Sequence, residues 1–243
     1  MISTDYYDIL RSGLSETLTV QRLIHGISWT AAVLSDGRCG VAMHTAGEGS
    51  PRMFDSLEGR RLSEAGKAML SWNLEEASEA FAAVNAFYNH RDCGFIRTES
   101  KSLDGIDLRG KRGGMVGRMI GHSNITMEIL QPAEKLWIMD REDKPDTLPD
   151  SAAEFYLPEC EVVIITGSAA INKTMPRLLE LSRNAQIILT GPSVSCCPEL
   201  LELGIFRLNG RVITDPEPML ASITEKRGSV NAWSVTFQMD RKA

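Results

Sequence analysis

Three short segments carry the residue types that a ligand-binding loop needs. The first runs Gly113-Gly114-Met115-Val116-Gly117-Arg118-Met119-Ile120-Gly121-His122. The second is Thr166-Gly167-Ser168-Ala169-Ala170-Ile171-Asn172-Lys173-Thr174, and the third is Gly191-Pro192-Ser193. Glycine lets the backbone come close to a bound group, and the N–H groups that open a helix attract an anion. Serine, threonine and asparagine supply donors and acceptors beside it. The spacing Gly117-x-x-x-Gly121 departs from the G-x-G-x-x-G dinucleotide fingerprint. The first segment therefore reads equally as a phosphate-approach turn or as a tight turn with no ligand. Asp140 closes the next apolar run, where such folds hold a ribose hydroxyl; a solvated strand-end carboxylate is the alternative. Thr174 reads either as part of a ligand loop or as a helix N-cap.

The histidines and cysteines point to no preformed metal cage. His25, His44, His90 and His122 form no H-x-x-x-H pair and none neighbours a cysteine at zinc spacing. His122, just after the glycine turn, is the histidine best placed for a cleft, with a cap or surface role as its alternative. Cys196 and Cys197 are adjacent, which sets their two sulfurs poorly for one tetrahedral ion. They precede a helix, where a thiol can ionise more readily, or they are inert core thiols. No G-x-S-x-G elbow and no P-loop occurs, so serine hydrolysis and simple nucleotide hydrolysis lack support.

The 243 residues suffice for one large or two modest domains. The 26 basic residues stand against 32 acidic ones, a net charge of −6, which disfavours phosphate-backbone and polybasic membrane binding. Five widely spaced cysteines do not form a disulfide framework, and Met1 to Asp8 does not read as a secretory leader. A cytoplasmic protein with no nucleic-acid partner and no membrane insertion is expected. A homo-oligomer is compatible with this, of an order the sequence does not fix.

The elements that must position these residues follow from periodicity. Asp5 to Leu14 has helical spacing, Leu18 to Ile24 suits a strand, and 29–34 and 39–43 flank Ser35-Asp36-Gly37-Arg38 as a hairpin. A glycine-rich loop, His44 to Arg52, follows. A helix is expected near Leu62 to Trp72. A second starts at Asn73, which forms a variant capping box with Glu76 and sets Leu74, Ala77, Phe81, Val84 and Tyr88 on one face. Ser78, Asn85 and Asn89 share the adjoining flank. Residues 97–110 read as a linker. Beyond it, strands at Met115-Val116, 135–139, 161–165 and 186–189 alternate with helices near 124–130, 174–183 and 198–203. That alternation predicts a doubly wound parallel sheet. The expected domains are 1–104 and 105–243.

Two blocks carry a family resemblance. Ser71-Trp72-Asn73 with Glu76-Ala77-Ser78 and Ala83-Val84-Asn85-Ala86-Phe87-Tyr88-Asn89 form the first. Leu157-Pro158-Glu159-Cys160, Asn172-Lys173-Thr174, Pro176 to Ala185 and Gly191-Pro192-Ser193 form the second. Over nearly the whole chain the sequence resembles the "putative heavy-metal chelation" family. The resemblance implies an α/β protein with an enolase-N-terminal-like α+β domain followed by a Rossmann-like doubly wound domain. It also implies a ligand site between them. The implied ligand is a heavy-metal ion, a metal chelate or a chelator precursor. The implied chemistry is chelation, or condensation or hydrolysis in making a pterin-, flavin- or siderophore-like chelator. Carried onto this sequence, the site takes Asn85 and Asn89 from the first domain. From the second it takes Gly117, Asp140, Thr166, Ser168, Asn172, Gly191 and Ser193; the loop residues themselves add Arg118, His122, Gly167, Thr174 and Pro192 as ligand-binding candidates. Arg118 and Cys196-Cys197 depart from the family pattern. The alternatives are an enzyme using S-adenosylmethionine or a nicotinamide cofactor, motivated by Gly117, Gly121 and Asp140, and a non-catalytic ligand-binding or regulatory module.

Overall fold

The computed structural model describes residues 4–46, 49–92, 96–97, 102–122, 125–225 and 228–242. Gly47 and Glu48 of the glycine-rich loop, Cys93 and Gly94 at the expected end of the long helix, and Asn124 at the expected start of another lie outside them.

The first half contains α1 (Asp5–Ser12), β1 (Val20–His25), β2 (Trp29–Leu34), β3 (Cys39–Met43), α2 (Leu62–Ala65) and α3 (Leu74–Tyr88). The three strands form an antiparallel sheet in chain order, with Asp36-Gly37 at the tip of the expected hairpin and Gly37 at φ +83°. Asn73 caps α3 as the spacing predicts, its Oδ1 accepting the Glu76 N–H at 3.0 Å. The capping box is only half made. The Glu76 carboxylate accepts the N–H groups of Met53 and Phe54 instead, tying the preceding loop to the helix. The helix expected near 62–72 divides into α2 and a 3-10 segment, Gly66–Leu70. A side chain at Gly66 would collide with Leu14, whose Cδ1 would lie 2.2 Å away.

The second half runs β4 (Ile96–Arg97), β5 (Arg112–Val116), α4 (Met127–Leu130), β6 (Lys135–Asp140), β7 (Leu148–Pro149), α5 (Ala153–Tyr156), β8 (Val162–Thr166), α6 (Ser168–Ile171), α7 (Met175–Leu181), β9 (Gln186–Thr190), β10 (Ile205–Ile213), α8 (Pro216–Thr224) and β11 (Ser234–Asp240). These strands form one eight-stranded sheet in the order β4-β11-β10-β9-β8-β5-β6-β7. From β7 to β10 every pairing is parallel, while β11 runs antiparallel to β10 and β4 antiparallel to β11. The expected parallel sheet is therefore present with an antiparallel margin. That margin is built from β11, beyond Gly204, where sequence periodicity assigned nothing, and from β4, whose Arg97 opens the expected linker.

Both faces of the parallel strands are buried. Met115, Val162 and Ile164 pack with Leu103, Leu108, Ile125 and Leu130 on one face. Val116, Val163 and Ile165 face the other way, into a core that also contains Tyr6, Tyr7, Leu10, Phe81 and Val84. This second core runs without interruption from one half of the chain to the other. It explains why α3 is buried on all sides from Glu76 to Ala86 and not along a single stripe. The far face of the three-stranded sheet, Ala31, Val33 and Val41, is covered by Met219, Leu220 and Ile223 of α8. Among the described residues no helix is long and apolar enough to cross a membrane.

Candidate functional site

Numbered in chain order, the six parallel strands β5 to β10 stand 3-2-1-4-5-6 across the sheet, reversing direction between β5 and β8. At such a reversal the connections leave for opposite faces, and a crevice opens at the carboxyl ends of the two strands. Two of the loops singled out in the sequence lie there.

Gly117 follows β5 with φ +82°, a conformation that a Cβ disfavours. A Cβ at this position would also stand 2.7 Å from Thr166 Cγ2 at the end of β8. Glycine is thus required twice, by the turn and by the neighbour. Gly191 follows β9 with φ +110°, and the heavy atom nearest its would-be Cβ is Thr166 Oγ1 at 4.0 Å. The Thr166 hydroxyl is 3.1 Å from Ser168 Oγ. Gly167 allows the loop after β9 to lie against it, since a Cβ there would meet Val194 N at 2.7 Å. Gly117, Thr166, Gly167, Ser168, Gly191, Pro192 and Ser193 therefore come together around Thr166, as the sequence suggested. They form a patch of backbone without bulky side chains and of small hydroxyls, in which Gly117, Thr166, Gly191 and Pro192 are half-buried and Gly167, Ser168 and Ser193 are buried.

Arg118 and Asp140 belong to the adjacent strand end. The Asp140 carboxylate accepts the N–H groups of Arg118 at 2.7 Å and Glu142 at 3.0 Å, with Lys144 Nζ 3.7 Å away. Burial pushes its pKa up, but these N–H groups and the lysine outweigh burial and hold it below the ordinary carboxylate range. Asp140 thus closes its own turn and remains an anion. The Arg118 guanidinium reaches Asp146 at 2.8 Å.

The remaining sequence-selected residues are engaged elsewhere. His122 is exposed in the turn beyond Met119, to whose carbonyl its N–H donates. Asn172 Oδ1 accepts from the Thr174 hydroxyl at 2.6 Å and from its N–H at 3.2 Å. Thr174 makes no side-chain cap to α7, because its hydroxyl also reaches the Ala169 carbonyl.

Asn85 and Asn89 are completely or almost completely buried and join the two halves. Asn85 Nδ2 donates to the Val41 carbonyl at 2.8 Å and its Oδ1 accepts from Ser195 Oγ at 2.6 Å. Asn89 Nδ2 donates to the Val194 carbonyl at 2.9 Å and its Oδ1 accepts the Cys196 N–H at 2.8 Å. The Met43 N–H on β3, the edge strand of its sheet, donates to Ser193 Oγ at 2.9 Å. The loop after β9 thereby covers that edge, which would otherwise offer unpaired backbone groups. Ser195 and the β3 edge were missed in the sequence, where only the asparagine flank signalled that α3 has a polar partner. Cys197 follows the inert reading: burial and the neighbouring Glu199 push its pKa up to about 12.

A heavy-metal site requires converging ligands. Among the described residues no group of three or more His, Cys, Asp or Glu side chains is arranged to hold an ion. An ion held here would need donors beyond the protein's own, such as those of a chelating molecule.

Two family models, both described as "Putative heavy-metal chelation", match residues 7–88 and 104–234. The chain is 30% identical to an uncharacterised protein of Methanocaldococcus jannaschii over 162 residues, 62% of this chain and 60% of that protein. A DUF364-family protein of unknown function from Desulfitobacterium hafniense superposes with a TM-score of 0.85 at 30% identity, covering 98% of this chain and 97% of that one. A second DUF364-family protein of unknown function, from Pyrococcus horikoshii, superposes with a TM-score of 0.80 at 23% identity, covering 99% and 100%. At that identity the second likeness speaks to the fold alone. With more than half of its length matched by one model, the chain belongs to the family described as "Putative heavy-metal chelation".

Proposed function

We propose that this protein binds a small polar ligand, a metal chelate or a chelator precursor, at the carboxyl ends of β5, β8 and β9. The observation that carries the reading is the clustering of Gly117, Thr166 and Gly191 at the point where strand order reverses. There the backbone is bare, hydroxyls are at hand, and open α/β sheets take their ligands. The family description supports a metal-bearing ligand. The lack of a three-ligand cage among the described residues favours an ion that arrives already chelated.

In this reading residues 1–104 are an enolase-N-terminal-like domain and 105–243 a Rossmann-like domain. The strand order 3-2-1-4-5-6 supports the second assignment. Asn85, Asn89 and Pro192 hold the two together, while Gly117, Thr166, Gly167, Ser168, Gly191 and Ser193 face the ligand. Arg118, His122, Asp140, Asn172 and Thr174 form the outer margin. The protein works in the cytoplasm without nucleic-acid or membrane partners, alone or as a homo-oligomer. Condensation or hydrolysis of a pterin-, flavin- or siderophore-like precursor is the chemistry we assign if turnover occurs. The same strand order also favours a second reading, binding of S-adenosylmethionine or a nicotinamide cofactor with Asp140 as ribose acceptor.

Isothermal titration with divalent metals, catechol- and pterin-type chelators and their complexes tests the first reading. Heat and a thermal shift with a chelator or complex, both lost in Thr166→Ala, are expected. No heat with any of them would sink it. Binding of either cofactor, lost in Asp140→Ala, would establish the second reading in its place.

A further inference from the structure

A separate polar cluster occupies the end of the three-stranded sheet. His25 is the last residue of β1 and stands opposite Thr30 of β2, while His44 directly follows β3. Strand alternation places Thr30, Ala32 and Ala42 on the face packed against α3. Glu79 of α3 rises to meet that face, and its side chain is only 3% exposed.

Each imidazole is fixed through one nitrogen by a buried group. His25 Nε2 is 3.0 Å from Glu79 Oε1, and His44 Nδ1 is 3.0 Å from the hydroxyl of fully buried Thr30. Arg52 takes the rest of the Glu79 carboxylate, with Nη1 3.1 Å from Oε1 and Nη2 on Oε2. Glu79 is therefore committed behind His25 and is not itself an open ligand. The other nitrogens, His25 Nδ1 and His44 Nε2, make no hydrogen bond to a described residue. The rings meet edge to face, with centroids 6.1 Å apart.

The Arg52–Glu79 pair by itself is accounted for as an anchor of the 50–54 loop. An anchor explains neither His44 nor the hydroxyl that orients it. Imidazoles held from behind by a carboxylate or a hydroxyl, each with one nitrogen unused, are the arrangement by which proteins aim histidines at a metal. Metal–nitrogen bonds of about 2.0–2.1 Å put each ring centroid about 3.2 Å from the ion, so two rings sharing one ion stand no more than about 6.4 Å apart. The observed separation lies within that limit. A tetrahedral angle calls for about 5 Å, about an ångström less than the observed separation. Imidazole selects zinc, copper or nickel over calcium or magnesium.

We propose that His25 and His44 together bind a divalent cation of the zinc, nickel or copper type through their two unused nitrogens. Water or the donors of a chelating molecule complete its coordination, and Glu79 and Thr30 act as positioning residues. The site lies one residue from the loop after β9, since the Met43 N–H is bonded to Ser193. It does not depend on a ligand at the strand-end loops.

The test is titration of the metal-free full chain with Zn2+ against a chromophoric competitor, and with Cu2+ followed by pulsed electron paramagnetic resonance, which counts imidazole nitrogens. One equivalent of copper with a two-imidazole signature is expected. His25→Ala and His44→Ala should each leave one imidazole and weaken zinc at least tenfold. Thr30→Val, which keeps the shape, and Glu79→Gln should weaken zinc by roughly 10- to 100-fold. His90→Ala, at a histidine outside the cluster, should leave the affinity for the bare ion unchanged. Absence of stoichiometric binding, fewer than two imidazoles in the wild-type signal, or zinc affinity indifferent to His44→Ala would overturn the proposal. Loss of bare-ion binding in Thr166→Ala would assign the ion to the strand-end loops instead. Failure of chelator binding with the imidazole signature intact would reject only the strand-end reading.

Discussion

The Ser195 hydroxyl donates to the Asn85 side-chain carbonyl across 2.6 Å, joining residues 110 apart in the chain. Four residues further along α3, Asn89 grips the Val194 carbonyl and the Cys196 N–H. Two amides one helical turn apart thus hold three consecutive residues of the loop after β9, Val194 to Cys196, from inside a core that both halves share. The glycine patch at the end of β9 is set by this fastening as much as by its own strand.

Removing either amide should therefore cost more than an average core polar change. Asn85→Ala leaves the Val41 carbonyl and the Ser195 hydroxyl buried without their partner, and a loss of about 2–4 kcal/mol is expected. Asn89→Ala should behave alike, and the double variant should fall short of the sum, because both act on one loop. Urea unfolding midpoints measure this, and a cost below about 1 kcal/mol for Asn85→Ala would contradict it.

Gly117 and Gly121 have nearly the same positive φ, +82° and +84°, but different surroundings. A Cβ at Gly121 meets open space, whereas at Gly117 it meets Thr166. Gly121→Ala should cost about 1 kcal/mol from backbone strain alone. Gly117→Ala should cost about 2–4 kcal/mol, since over-packing adds to the strain. Thr166→Ser removes the colliding methyl and should recover part of the loss in a Gly117→Ala background. Equal costs at the two glycines, or no recovery, would refute the close contact.

Lys173 is the non-glycine residue with positive φ, +69°, among the described residues, and its Nζ bonds the Ile171 carbonyl. Burial lowers its pKa to about 8. The unfolded chain then holds the proton more tightly than the folded one between about pH 8 and the ordinary lysine value. This residue's contribution to stability must rise with pH through that window. Comparing wild type with Lys173→Met at pH 7 and 9.5 isolates the effect. The variant should gain relative to wild type at pH 7 and lose that advantage at pH 9.5. A pH-independent difference would show the amine to be solvated.

The described thiols should be silent in the native state. Burial pushes Cys39 and Cys197 up to about 12 and Cys160 to about 11, so the reactive thiolate is scarce at neutral pH. Mass spectrometry after iodoacetamide treatment at pH 8 should find these three unlabelled in the folded protein and labelled in urea. Rapid native labelling of Cys197 would restore it as a reactive residue.

Local chemistry made much of this legible in the sequence. Asn73 caps α3 because an amide three residues ahead of a free N–H satisfies it in any context. Asp36-Gly37 turns the hairpin, and the alternation after residue 110 yields the parallel strands, because turn conformation and side-chain period belong to neighbouring residues. The glycine and hydroxyl loops were legible for the same reason. What the sequence alone could not decide was which side chains meet across the chain. The flank holding Asn85 and Asn89 was visible, but its partners, Ser195 and the backbone of the loop after β9, are about a hundred residues away. His25, Thr30, His44 and Glu79 come from four elements and show no ligand spacing; only the pairing of β1, β2 and β3 over α3 brings them together. The margin from β10 to β11 was unreadable because its burial is set by what packs on it, α8 on one sheet and β4 beside another, and not by its own period. Local hydrogen bonds and periodicity are written in consecutive residues, whereas long-range contacts depend on how a common core closes. Here that closure, not any motif, built the strand-end patch and the imidazole pair.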